Sequence, residues 1–242
     1  MPKIAVLGLG GVGGCIAGYL LRAGHDLTLI DQWPAHIEAI KSKGLTVTDV
    51  DESFTVPAPA LHLSEVSLLR EPFDIVFMSV KSYDTVWCAH LIAPHLQPGG
   101  MILPAMNALN DETVAQIVGY RRTVGCVPTI SAGVYEPGHV QRTDPKTLHA
   151  FTVGELNGLI TPRVQRIIDL LDLCPGRRYL DVGCGTAAFA DAIARKAGLT
   201  EPPVTLDIAS GLGPVEVVGW PEKLPFRDNS FDCITSLYFM RR

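Results

Sequence analysis

The sequence lacks several features that would assign it to a particular class. It has no excess of positive charge, since the formal net charge is −5, and nothing in it predicts binding to nucleic acid or to an anionic membrane surface. The six cysteines form no CxxC pair, which fits neither a disulfide framework nor a zinc site and predicts reduced thiols in a cytoplasmic protein. The expected partners are small molecules or other proteins.

The composition excludes further classes. Apolar residues make up 47% and charged residues 19% of the chain, which excludes disordered, coiled-coil and collagen-like proteins. At about 150 residues per domain, 242 residues predict one large or two small domains. Residues 4–21 carry no charge, but six of these 18 positions are glycine. Such a stretch would make a poor lipid-facing helix, so no membrane span is predicted.

A glycine-rich loop lies directly after the first predicted strand. Residues 3–7 form a compact aliphatic run, and Gly8, Leu9, Gly10, Gly11, Val12 and Gly13 follow it before a helical pattern that ends near Gly24. In this GxGxxG spacing the first glycine permits a sharp turn, the second lets the backbone approach a diphosphate, and the third lets the helix pack on the strand. The helix N-terminus then favours the anionic phosphates.

A second predicted strand, residues 26–30, ends in Asp31, which lies 18 residues beyond Gly13. An acid at this position of a dinucleotide-binding fold accepts hydrogen bonds from the adenosine ribose. Because a carboxylate repels a 2′-phosphate, Asp31 favours NAD(H) over NADP(H). The alternative is a solvated residue at the end of a strand.

Strands and helices continue to alternate after the first two strands. Residues 73–80 predict a strand buried on both faces, and residues 83–96 predict a helix that ends before a break at 98–100. A short strand at 101–103 and a helix at 111–118 follow, the latter with acids in its first turn. This order predicts an α/β fold with a Rossmann-type, doubly wound parallel sheet.

Six motifs in this region carry a resemblance to a known family. Besides the glycine loop they are Ser79-Val80-Lys81, Met106-Asn107-Ala108, residues 129–133 (TISAG), residues 137–140 (PGHV) and residues 151–158 (FTVGELNG). Residues 1–171 resemble the N-terminal domain of the ketopantoate reductase (2-dehydropantoate 2-reductase) family. The resemblance implies an NAD(P)H-dependent oxidoreductase of pantothenate biosynthesis that transfers a hydride to a small 2-keto acid.

The same resemblance implies roles for individual residues. The glycine loop would hold the diphosphate, Lys81 would reach the cofactor, Asn107 would lie beside the nicotinamide and the substrate as the catalytic candidate, and Ala132 would make a backbone contact. Taken alone, Lys81 reads as a solvated side chain, Asn107 as a turn former and Ala132 as a small strand residue. The family most often uses NADPH, and Asp31 departs from the basic residue expected for that choice. The preference between NAD and NADP therefore stays open.

One part of a reductase is missing from the sequence. The family takes its proton donor from a lysine in a separate C-terminal helical domain, but only Lys196 and Lys223 lie beyond residue 146. Lys223 sits in a segment that fits another family better. The proton donor would therefore come from an unrecognised residue or another chain, which leaves open a homo-oligomer or a partner that completes the site.

A second glycine loop follows a predicted strand at residues 178–182. It contains Asp181, Gly183 and Gly185, and a further strand at 204–206 is followed by Asp207. With residues 222–232 (EKLPFRDNSFD), this region resembles a class I S-adenosylmethionine-dependent methyltransferase. The resemblance implies that Asp181, Gly183 and Gly185 contact the methionine part of the cofactor and that Asp207 binds its ribose.

The methyltransferase resemblance covers only the front half of that fold. Ala187 replaces a usual glycine, and Trp220 stands where an acid normally meets the adenine amine. We therefore predict two domains, a complete dinucleotide-binding domain over residues 1–171 and a partial second Rossmann-like unit over residues 172–242. The alternatives to a reductase are an incomplete methyltransferase and a non-catalytic nucleotide-binding fusion.

Overall fold

The computed structural model of the chain describes residues 1–144, 150–157, 161–171, 179–182, 204–207, 217–218 and 233–236. The chain divides into two compact units, Met1–Lys146 and Thr147–Arg242. The predicted boundary at residue 171 adjoins residues 172–178, which lie outside the described residues. The division into domains 1–171 and 172–242 therefore stays a prediction.

The first unit alternates strands and helices along residues 1–144. Short 3₁₀ helices occupy Leu63–Leu68, Ser82–Asp84, Ala93–His95 and Tyr120–Arg122. The strands and α-helices are β1 (Ile4–Leu7), α1 (Gly11–Arg22), β2 (Leu27–Asp31), α2 (Pro34–Lys43), β3 (Leu45–Thr48), β4 (Ser53–Val56), β5 (Ala60–His62), β6 (Phe73–Met78), α3 (Thr85–Ile92), β7 (Leu96–Pro104), α4 (Asp111–Val118), β8 (Gly125–Pro128), β9 (Ala132–Glu136) and β10 (His139–Arg142).

The central sheet of this unit has five parallel strands in the order β5-β2-β1-β6-β7. Strand β1 lies in the middle and is buried along its whole length. Its residues Ala5 and Leu7 share a core with the buried faces of α3 and α4, while Ile4 and Val6 point to the opposite side because strand residues alternate. The predicted Rossmann-type α/β fold is confirmed.

Helix α1 lies between the central sheet and a second sheet. The second sheet has the order β4-β3-β10-β9, and α1 contacts β1 and β2 on one side and β3, β9 and β10 on the other. A Cβ atom at Gly14 would overlap a methyl group of Val140, and one at Gly18 would overlap a methyl group of Val47. The two glycines therefore let the helix approach the second sheet closely.

One predicted stretch differs from the structure. The helix expected over residues 83–96 is α3, Thr85–Ile92, and Leu96 already belongs to β7. Residues 98–100, predicted as a break, lie inside that strand, and β6 ends at Met78 instead of Val80. The pairing of β6 with β7 shifts register between Phe73 and Ile75. Because β7 is an edge strand, such an irregularity accommodates proline and glycine.

The second unit contributes a parallel sheet of four strands. Thr161 caps α5, where its hydroxyl accepts a hydrogen bond from the Val164 N–H. The elements are β11 (Phe151–Gly154), α5 (Pro162–Leu170), β12 (Tyr179–Val182), β13 (Val204–Asp207), β14 (Val217–Val218) and β15 (Cys233–Ser236). The sheet has the order β14-β13-β12-β15, so the strands predicted at 178–182 and 204–206 are present as β12 and β13.

Three cysteines of the first unit are free and buried, namely Cys15, Cys88 and Cys126. Burial raises the pKa of Cys15 and of Cys88 to about 12, so these thiols stay protonated at neutral pH. Within the described ranges, no helix combines the length and the apolar character needed to cross a membrane.

Candidate active site

A cleft of about 460 Å³ opens at the carboxyl ends of the central strands. The loops after β1, β6 and β7, the end of β2 and the segment before β9 form its walls. This is the edge at which open parallel sheets bind their ligands. The cleft brings together eight of the residues singled out in the sequence, which are Gly8, Gly10, Gly11, Val12, Asp31, Lys81, Asn107 and Ala132.

Two residues of the predicted loop do not line the cleft. Leu9 is buried, and its backbone N–H donates a hydrogen bond to Asp31. Gly13 is also buried, at the start of α1. A Cβ atom at Gly13 would overlap the carbonyl oxygen of Gly8, so this glycine sets the distance between helix and turn.

The other glycines of the loop meet different surroundings. Gly8 has a φ of +91°, which favours glycine, and an added Cβ would lie 2.6 Å from the carbonyl oxygen of Ser79. At Gly11 an added Cβ would overlap the carbonyl group of Ala132. Gly10 differs, since no atom lies within 4 Å of its Cβ position. No protein neighbour therefore requires glycine at position 10, and the free space there belongs to the cleft.

Asp31 anchors the glycine loop. Its Oδ2 accepts a hydrogen bond from the Leu9 N–H at 2.6 Å, and its Oδ1 accepts one from the Trp33 N–H at 2.8 Å. Each carboxylate oxygen keeps a further lone pair, so Asp31 can still accept a hydroxyl group of a ligand in the cleft. The sequence pattern gave no signal for the bond to Leu9, because it joins residues 22 positions apart.

Asn107 lies on a loop that is tied to the neighbouring loop. Its carbonyl oxygen accepts hydrogen bonds from Ser82 Oγ at 3.1 Å and from Asn110 Nδ2 at 2.9 Å. The next residue, Ala108, has a φ of +75° and is the one non-glycine residue with a positive φ among those described. Such strain is common at functional sites. The arrangement holds the backbone and leaves the Asn107 side chain exposed at the cleft.

The described lining of the cleft carries three charged side chains, Asp31, Lys81 and Asp84. Lys81 is exposed, and its carbonyl oxygen accepts a hydrogen bond from the Asp84 N–H at 2.8 Å. The loop after β6 is thus a tight turn that presents Lys81 to the cleft. Asp84 and its neighbour Trp87 were not predicted as site residues.

A buried ion pair supports the wall next to Ala132. Asp144 Oδ1 accepts a hydrogen bond from the Ser131 N–H at 2.7 Å, and its Oδ2 accepts one from Arg142 Nη2 at 2.8 Å. Arg142 and Asp144 are 8% and 7% exposed. Since Ser131 and Ala132 line the cleft, the ion pair positions this wall. The sequence offers no signal for this role of Asp144, because the residue that it supports lies 13 positions away.

The second glycine loop is described only in part. Asp181 lies on β12, beside Thr205 of β13, and Asp207 is the last residue of β13. Gly183 and Gly185 lie outside the described residues. The S-adenosylmethionine-like site therefore stays a prediction. In the parts of the chain that the structure covers, no group of three or more His, Cys, Asp or Glu side chains could hold a metal ion.

Comparison with protein families gives two matches. The family described as "Ketopantoate reductase PanE/ApbA" matches residues 4–158, more than half of the chain. The family described as "Methyltransferase domain" matches residues 180–241. Both resemblances noted in the sequence are thereby confirmed.

Individual relatives agree with the first match. The uncharacterized oxidoreductase YkpB of Bacillus subtilis is 25% identical over 166 residues, which are 68% of this chain and 52% of the relative. The 2-dehydropantoate 2-reductase of Lactococcus lactis is 26% identical over 137 residues, 56% of this chain and 44% of the relative. The crystal structure of 2-dehydropantoate 2-reductase from Porphyromonas gingivalis W83 is 28% identical with a TM-score of 0.60, covering 71% of this chain and 61% of that one.

The chain spans about half the length of the curated relatives it matches. The shared part contains the glycine loop and the residues that form the cleft. The chain therefore belongs to the ketopantoate reductase family.

Proposed function

We propose that the cleft of the first unit binds NAD(P)H, with a preference for NADH, and that the protein is an oxidoreductase acting on a small 2-keto acid. The observation that carries this proposal is the convergence of eight predicted residues on one cleft. Family membership supports the reaction class, and Asp31 supports the preference for NADH.

The glycine loop leaves space for a dinucleotide at Gly10. Gly10 is the N-cap of α1, its Cβ position is open, and the first turn of the helix contains no acidic residue. The first N–H groups of a helix have no intrahelical acceptor and bind anions. Gly8 to Gly13 would therefore hold the diphosphate, and the free oxygen lone pairs of Asp31 would accept the ribose hydroxyls.

The remaining predicted residues would bind other parts of the cofactor and the substrate. The cofactor, when bound, supplies the hydride that reduces the substrate carbonyl. The exposed amide of Asn107 can both donate and accept hydrogen bonds beside the nicotinamide and the substrate. The ammonium group of Lys81 supplies a positive charge for an anionic group of the cofactor. Ala132 would contribute its backbone.

Reduction of a ketone also needs a proton for the forming alkoxide. The Cys88 thiol lines the cleft, but burial raises its pKa to about 12, so it is a poor donor at neutral pH. We assign Lys81 to the cofactor, which leaves the described lining without a second cationic donor. The proton donor would then come from outside the described lining, either from an unrecognised residue of this chain or from another chain, such as a second copy in a homo-oligomer or a partner protein.

Calorimetric titration of the full chain with NADH and with NADPH tests the proposal. We expect heat with both nucleotides and the lower Kd for NADH. Thermal unfolding in the presence of NADH at 100 times its Kd should show about 2.7 kcal/mol of added stability. The absence of heat with either nucleotide would contradict the proposal. Binding without oxidation of NADH by 2-keto acids would instead support the non-catalytic alternative.

A second candidate function is binding of S-adenosylmethionine by the second unit. Four parallel strands with Asp207 at the end of β13, together with the family match over residues 180–241, favour it. Titration of the chain with S-adenosylmethionine should then produce heat that Asp207→Asn abolishes and Asp31→Asn leaves unchanged. Equal heats from both variants and the unchanged protein would refute the role of Asp207.

A further inference from the structure

Asp84 places a second negative charge in the cleft. It is in the turn after β6, and the Trp87 indole N–H donates a hydrogen bond to its Oδ1 at 2.7 Å. Both residues line the cleft. The bond fixes the carboxylate and brings no positive charge to it.

Asp84 and Asp31 act on the same part of the cleft. Cys88 is buried in the lining, and besides burial the charges of Asp84 and Asp31 raise the pKa of its thiol. Cys88 lies one helical turn after Asp84 and shares a core with Ile30, the residue before Asp31. Both carboxylates therefore flank the same part of the cleft, although they follow different strands. Asp31 ends β2, and Asp84 precedes α3.

Neighbouring groups do not cancel these charges. Neither carboxylate forms an ion pair within the described part of the chain. Two histidines lie near Asp31. His36 is 1% exposed, and burial lowers its pKa, so it is neutral at pH 7. His62 lies opposite Asp31 in the pairing of β2 with β5. Its ring accepts a hydrogen bond from the Ser64 N–H, donates one to the Gln32 carbonyl oxygen and forms no ion pair with Asp31. Lys81 alone opposes two acids in the described lining.

We propose that Asp84 is a second specificity-determining residue, which together with Asp31 makes the adenosine end of the cleft negative and disfavours NADPH relative to NADH. The inference rests on the proposed function. NADH and NADPH differ in the 2′-phosphate, so a carboxylate near the adenosine end weakens the binding of NADPH more than that of NADH. A preference of this kind is electrostatic and decreases as salt screens the charges.

The test compares Kd values for NADH and NADPH by calorimetry in Asp84→Asn and in a matched control. Asparagine keeps an oxygen acceptor for the Trp87 indole and removes the charge. Glu112→Gln changes the net charge equally at an exposed position in the first turn of α4, outside the cleft lining. We expect Asp84→Asn to lower the ratio of the NADPH Kd to the NADH Kd about threefold, and Glu112→Gln to leave it unchanged.

A second measurement does not depend on the folding of the Asp84 variant. In Asp31→Asn, the remaining preference for NADH should decrease when NaCl is raised from about 0.05 M to about 0.5 M, because Asp84 is then the remaining acid of the described lining. A preference that does not respond to salt would overturn the inference. An unchanged ratio of the NADPH Kd to the NADH Kd in Asp84→Asn would also overturn it, because both Kd values would then have changed by the same factor.

The outcomes separate this inference from the function on which it rests. If the unchanged protein binds neither nucleotide, the proposed function fails, and the role of Asp84 fails with it. If both nucleotides bind and the Kd ratio is the same in Asp84→Asn and in Glu112→Gln, only the role of Asp84 fails.

Discussion

The N-terminal turns of α1 and α4 differ in how the positive end of each helix is compensated. Helix α4 begins with Asp111 and Glu112, two acids that interact favourably with the helix dipole. Helix α1 has no acid in its first turn, and its N-cap, Gly10, makes no side-chain capping bond. Helix α4 thus supplies its own anions and α1 does not. The difference indicates that α1 is built to receive an anion from outside.

The glycines around the start of α1 sharpen this contrast. Gly8, Gly11 and Gly13 each face backbone atoms of the protein, whereas the Cβ position of Gly10 is empty. Folding explains the first three glycines. It does not explain Gly10, so this residue distinguishes a ligand-binding loop from a merely compact turn.

The largest expected effect belongs to Gly13→Ala. The added Cβ would overlap the Gly8 carbonyl oxygen, and a backbone group cannot be relieved by a rotamer change. We expect a loss of about 3 kcal/mol or more in the free energy of unfolding, measured by urea denaturation of the full chain. Gly99→Ala, where the added Cβ meets no atom, is the matched control. A stability equal to that of the control would show that the α1 turn is not constrained by packing.

The second effect concerns binding instead of stability. Gly10→Ala should leave the free energy of unfolding within about 1 kcal/mol of the unchanged protein, because the residue has a compatible φ of −65° and no close neighbour. Its Kd for NADH should rise about tenfold, which is about 1.4 kcal/mol. Calorimetry measures the Kd, again with Gly99→Ala as control. Unaltered affinity would remove Gly10 from the binding surface.

The smallest expected effect concerns Asp111, in the first turn of α4. Burial raises the pKa of Asp111 to about 6, above its ordinary value of 3.8, so ionisation is less favourable in the folded protein than in the unfolded chain. Stability is then fully present below about pH 4 and decreases as pH rises through about 6. Between pH 4 and pH 7, we expect the free energy of unfolding of Asp111→Asn to rise by on the order of 1 kcal/mol relative to that of the unchanged protein.

Urea denaturation at the two pH values measures this difference, and Asp51→Asn, at an exposed position outside α4, serves as the control. A constant difference between Asp111→Asn and the unchanged protein at both pH values would mean that burial does not perturb Asp111.

The sequence predicted those parts of the fold that are governed by local patterns. The apolar run of β1 and the acids at the start of α4 are such patterns, and α4 has the predicted bounds of residues 111–118. The glycine spacing predicted the loop, and the residues of the resemblance meet in one cleft. Local patterns therefore sufficed for four of the five central strands and for the glycine loop with Asp31, whereas β5 was not predicted and Lys81, Asn107 and Ala132 were expected from the family resemblance.

Features that depend on distant pairing were not predictable in this way. Strand β3 pairs with β10, and Thr46 lies opposite His139, 93 positions away. Strand β7 includes Pro98 and Gly99 because its register against β6 shifts at the sheet edge. The support of Ser131 by Asp144 likewise depends on a buried ion pair with Arg142. None of these contacts leaves a periodic trace in the sequence.

The position of α1 between two sheets has a consequence for how the first unit opens. Helix α1 packs on strands of both sheets, and removing the second sheet would expose the side that carries Gly14 and Gly18. Amide hydrogens of α1, β1 and β3 should therefore exchange with solvent as one cooperative block, with similar protection, instead of layer by layer. A ligand held at the start of the helix would slow exchange throughout that block.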